Sequence, residues 1–86
     1  MRVKPEPGTY EITISGNPYA VVVTTQGLTA SFDIFGAVEW TWTWKEIEGG
    51  PILTGQNPYI LSFTPPDIFH VIGPGGVTNG TYRKIT

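Results

Sequence analysis

The chain has 86 residues, no cysteine, one histidine and a net charge of −2, enough for one small domain that buries about 60–65% of the surface its unfolded form exposes. Charged residues make up 14% of it, against about 25% in an average soluble domain. The basic ones, Arg2, Lys4, Lys45, Arg83 and Lys84, are too few and scattered to neutralise a run of phosphates, which argues against nucleic acid as a partner.

Small domains gain stability from disulfides, a metal or a partner. Disulfides are impossible here, and one histidine with scattered carboxylates forms no ligand set, so no cofactor or metal is expected. The longest apolar run is too short to cross a bilayer as a helix, so no membrane partner is expected either. Association with copies of itself or with a larger assembly is the route left open.

In chain order, Met1-Arg2-Val3-Lys4-Pro5-Glu6-Pro7-Gly8 contains no apolar stretch of an export signal, so release into the cytoplasm of the producing cell is expected. Its prolines favour an extended arm over residues 1–8, ahead of a domain over 9–86. From residue 9 onward, period-two alternation recurs and no window holds a helical period. Residues 9–14 set Tyr10, Ile12 and Ile14 against Thr9, Glu11 and Thr13, and Ser15-Gly16-Asn17-Pro18 has turn chemistry. Residues 19–25 form a strand that is apolar on both faces, broken by Gln26-Gly27. Residues 28–35 place Leu28, Ala30, Phe32 and Ile34 on one face, opposite Thr29, Ser31 and Asp33.

After Gly36-Ala37, residues 38–47 align Val38, Trp40, Trp42 and Trp44 opposite Glu39, Thr41, Thr43 and Lys45. A short piece at 52–54 leads through Gly55-Gln56-Asn57-Pro58 to a strand at 59–64, with Tyr59, Leu61 and Phe63 on one face. Ile68–Ile72 reads as a further strand, Gly73–Gly80 as a long glycine-rich turn, and Thr81–Thr86 as the last strand. Tyr82 and Ile85 are three apart, so a bulge or a frayed end is expected there. Seven or eight short strands with these turn signals mark an all-β sandwich or barrel.

The glycine-led strand 27–35, the tryptophan strand 40–45 and Tyr59-Ile60-Leu61-Ser62-Phe63-Thr64-Pro65-Pro66-Asp67 give the chain a resemblance. It resembles the immunoglobulin-like domains that decorate tailed-phage virions and also occur in bacterial surface proteins, over about residues 10–86. The resemblance implies an immunoglobulin-like β-sandwich of about seven short antiparallel strands, with Trp40, Trp42, Phe32, Leu61 and Phe63 in its core. Gly80-Thr81-Tyr82 comes about a dozen residues later than the family's tyrosine corner. Either 68–80 is an insertion and Tyr82 lies on strand F, or 68–72 is strand F and 81–86 strand G; the hairpin chemistry of Gly73-Pro74-Gly75-Gly76 and Asn79-Gly80 favours the second.

The candidate sites are sparse. His70 lacks a recognisable nucleophile and orienting partner. Glu46 and Glu48, like Asp33 and Glu39, flank turns and read as solvated acids rather than a hydrolytic pair. Asn79-Gly80-Thr81 fits a glycosylation acceptor but reads as a turn. Trp44, near a strand end, is a rim residue available to a partner, as are Arg2, Val3 and Lys4 of the arm.

No enzymatic activity is expected. The expected function is that of a structural virion protein, a small capsid decoration or tail accessory module made in the host cytoplasm. Its partners would be the major capsid or tail protein and copies of itself. The alternatives are a carbohydrate-binding or adhesion module that uses the tryptophan strand, and a strand-exchanging surface-fibre subunit. On this reading the arm takes its order from a partner, and deleting residues 1–8 would leave the melting temperature nearly unchanged.

Overall fold

The alternation seen in the sequence sorts side chains between the inside and the outside of one closed sheet. The computed structural model describes residues 1–30 and 40–86. Among these residues the strands are β1 (Gly8–Ile14), β2 (Asn17–Val23), β3 (Gly27–Ala30), β4 (Trp40–Lys45), β5 (Ile52–Thr54), β6 (Ile60–Thr64), β7 (Ile68–Gly73) and β8 (Gly76–Lys84). Each pairs antiparallel with the next, and β8 returns to β1 through Tyr10–Lys84, Ile12–Tyr82 and Ile14–Gly80. The all-β class is as expected, but the arrangement is a closed eight-stranded barrel in simple up-and-down order. An immunoglobulin-like sandwich of about seven strands has two sheets and Greek-key connections; here neighbours in space are neighbours in sequence.

Because directly paired residues share a face, the register fixes the core. Tyr10 and Ile12 of β1, Val21 and Val23 of β2, and Leu28 and Ala30 of β3 point inward. They meet Trp42 of β4, Leu53 of β5, Leu61 and Phe63 of β6, and Phe69 and Val71 of β7. Trp42, Leu61 and Phe63 thus lie in the core, each no more than 1% exposed, and Trp40 packs half-buried against them. Phe32, the remaining residue expected there, lies outside the described residues, as do Asp33 and Glu39.

The aromatic residues divide between the two ends of the barrel. Trp40 stacks on Trp42 at 5.8 Å and meets Tyr59 edge-on at 6.2 Å. At the other end Phe63 is ringed by Tyr82 at 4.9 Å, Phe69 at 5.0 Å, and Tyr10 and Trp44 at 6.2 Å. Trp42 donates its indole N–H to the Tyr59 carbonyl at 3.1 Å, and Trp44 donates its own to the Thr24 carbonyl at 3.0 Å.

β8 is longer than the sequence suggests. The expected long turn over Gly73–Gly80 is a tight one, closed by the Gly73–Gly76 pair, and Val77, Thr78 and Asn79 belong to β8. Glycine content misled here. Gly80 is a strand residue whose added Cβ would run into the Thr13 carbonyl oxygen of β1, so it is there to let two strands approach. Likewise Asn17 and Pro18 begin β2 instead of completing the turn. Tyr82 turns inward and Ile85 lies beyond the end of β8, 43% exposed, so their spacing needs no bulge.

The N-terminal arm departs most from expectation. Val3 donates its N–H to the Phe63 carbonyl at 2.9 Å and packs against the core. Arg2 donates through Nε to the Gly50 carbonyl at 3.2 Å and through a terminal nitrogen to the Glu48 carbonyl at 2.8 Å. The arm therefore takes its order from its own barrel. β5 is short and meets β6 only at Leu53–Leu61, and Val3 takes up the neighbouring length of β6 at Phe63.

Candidate binding surface

With the barrel axis taken by side chains, whatever this protein does is done at its outside and its rims. The outer face carries Thr9, Glu11, Thr29, Thr41, Thr43, Asn79 and Thr81. An apolar inside and a polar outside are the reverse of a membrane-spanning barrel. No helix among the described residues is long and apolar enough to cross a membrane.

Three places on this surface gather chemistry. The first is the arm seam. Lys4 pairs with Glu46 at 2.6 Å and its ammonium stands 5.9 Å from the centre of the Trp44 ring. All four residues expected to meet a partner, Arg2, Val3, Lys4 and Trp44, come together here, where they contact one another's surroundings on the same chain. Gly49 and Gly50 have φ of 89° and 114°, a region open to glycine. A Cβ on Gly50 would strike the Arg2 backbone.

The second is the outer face of β6, β7 and β8, where Ser62, His70 and Asn79 lie side by side across the strands. His70 Nδ1 is 2.8 Å from Asn79 Oδ1, and Nε2 is 3.1 Å from Thr64 Oγ1. The ring therefore ties the three strands with both nitrogens engaged by neutral groups. Ser62 is 5% exposed although it faces outward, because Met1 and Arg2 pass beside it. They and Ile72 and Val77 wall an open groove of about 280 Å³. Ile72 and Val77 are paired directly and are 44% and 65% exposed.

The third is an open groove of about 740 Å³ between the outer edge of β4 and the turn from β5 to β6, lined by Trp40, Thr41, Thr43, Gln56, Asn57 and Pro58. Asn57 Oδ1 accepts the Tyr59 N–H at 3.0 Å, which fixes the turn and leaves the amide nitrogen as the donor. Among the described residues the lining is of hydroxyls, amides and one indole, without a charged side chain, and suits a neutral polar ligand.

Sequence reasoning missed Gln56, Asn57, Ile72 and Val77. The turn pair gave only turn chemistry. The hydrophobic pair had a signal: Phe69 and Val71 alternate with His70 and Ile72, so a buried Phe69 puts Ile72 outside.

Burial raises the pKa of the Tyr10 hydroxyl above its ordinary value, with smaller contributions from Glu6 and Tyr82; that of Tyr82 is raised by burial and then by Asp67. The Tyr10 hydroxyl donates to the Glu6 carbonyl at 2.6 Å, pinning the chain where the arm leaves β1. No protein-family model, curated protein or solved structure matches the chain.

Proposed function

We propose that the protein is a non-enzymatic attachment module, a structural virion component that binds the surface of a phage head or tail through its outer face. The observation that carries the reading is the division of chemistry between inside and outside. Aromatic and aliphatic side chains occupy the barrel, while Ile72, Val77 and Val22 stand exposed on a surface poor in charge. Apolar side chains within a polar surround favour a protein partner. The virion part of this reading rests on the resemblance to immunoglobulin-like modules carried by the strands around Gly27, Trp42 and Tyr59–Asp67, although here those strands belong to one closed barrel. The attachment reading stands on the surface chemistry and is independent of that resemblance.

Labelling the protein in its native source and imaging it there tests the proposal. Regular copies on particles support it; protein found free or on cell walls overturns it. A second reading, a carbohydrate-binding module, is favoured by the groove of Trp40, Thr41, Gln56 and Asn57. Neutral glycans titrated against the protein would quench tryptophan emission on that reading, and Gln56→Ala would abolish the effect.

A further inference from the structure

We infer that the N-terminal arm is an exchangeable strand, and that Met1–Lys4 of one copy docks on the β5–β6 seam of a second copy in place of that copy's own arm. Three observations lead there. First, the arm is a separate piece of the molecule: it reaches residues 42–60 positions away through a handful of bonds, from Val3 to Phe63, Arg2 to Gly50 and Glu48, and Lys4 to Glu46. Second, its hinge is defined. Tyr10 pins the Glu6 carbonyl, Pro5 fixes the backbone just before it, and Lys4, preceding a proline, is held extended. Met1–Lys4 is therefore a short extended segment joined to the barrel at Glu6, and it turns about the Pro5 ψ and Glu6 φ bonds.

Third, the receptor is a strand edge that short β5 leaves to be completed by an added strand, which is the geometry of β-augmentation. Its fittings are specific to this arm. Glu46 and the Trp44 face take the ammonium, the Glu48 and Gly50 carbonyls take the guanidinium, Gly49 leaves room for that guanidinium, and Gly50 admits the Arg2 backbone. The occupant that matches all of them is the same segment of another copy. Exchange leaves every contact unchanged and trades only a short tether for a neighbour, so it is favoured where copies are crowded. Met1, 89% exposed, and the Ile72–Val77 pair flank the arm and would be covered by the approaching copy.

The Lys4–Glu46 pair supplies the test, because a carbodiimide joins a touching amine and carboxylate without a spacer. Unlabelled and ¹⁵N-labelled full-length protein are mixed, incubated at concentrations up to about 1 mM, near the effective concentration of a short tether, and coupled. Mass spectrometry of the peptide pair containing Lys4 and Glu46 then reports whether the two residues came from one chain or two. Exchange predicts mixed-isotope Lys4–Glu46 pairs whose share rises with protein concentration, with few mixed pairs at Lys45 or Lys84. Lys4–Glu46 pairs of a single isotope at every concentration overturn the proposal. So do mixed pairs spread evenly over all lysines, which is the mark of random collision.

Discussion

Trp42 shows how much one side chain can carry in a domain of this size. It is 1% exposed, stacks on Trp40 and donates to the Tyr59 carbonyl. Trp42→Ala should cost about 3–5 kcal/mol, much of the total stability of a small domain, read as the loss of a cooperative urea transition. A glycine carries comparable weight for the opposite reason. Gly80→Ala forces a methyl against the Thr13 carbonyl of β1. It should destabilise by at least about 1–3 kcal/mol in the same titration, whereas Gly75→Ala, which has open space, should change little. Tyr10 and Tyr82 set the response to alkali. Both have pKa values raised on folding, so the unfolded chain gives up these protons first and their stabilisation is lost as pH rises through the folded values. Thermal melts should therefore hold steady in the neutral range and fall above about pH 10, the ordinary tyrosine value. Tyr10→Phe, which cannot ionise, should soften that fall.

Strand content was legible because alternation is a local property: each of Tyr10 and Ile12, Leu28 and Ala30, Leu61 and Phe63 announces its own inward face. Strand ends were less legible. Val77, Thr78 and Asn79 were hidden by the glycines around them, since Gly80 reads as a turn until its neighbour on β1 is known. The arm was misjudged for a related reason. Pro5 and Pro7 say that it is extended, but nothing local says that short β5 leaves room for Val3 beside Phe63. Deleting Met1–Lys4 removes a half-buried valine, its backbone bond and the covering of Ser62. The melting temperature should drop by about 5–10 °C, following from a loss of roughly 1–2 kcal/mol, where an arm ordered solely by a partner would leave it unchanged. Differential scanning calorimetry decides between them.

Global order is where sequence and structure part. The same alternating strands can be wound as two facing sheets or as one closed one, and the choice depends on pairings such as Ile12–Tyr82 between residues 70 apart in the chain, which no local pattern encodes. Arg2, Val3, Lys4 and Trp44 were expected to meet a partner; that they gather at one seam of their own chain was not legible, since their meeting depends on closure too. The proposed function rests on closure as well: with the barrel filled by its own aromatic side chains, the attachment proposed above would use the outer face, the arm seam and the β4 groove. The most direct test is therefore the pairing of the first and last strands. Through-space contacts between backbone protons in solution should place Tyr10 opposite Lys84, Ile12 opposite Tyr82 and Ile14 opposite Gly80, antiparallel, together with Leu53 opposite Leu61. A closed up-and-down barrel predicts all four. If β1 and β8 run parallel or do not meet, the barrel is wrong and the account built on its outer surface fails with it.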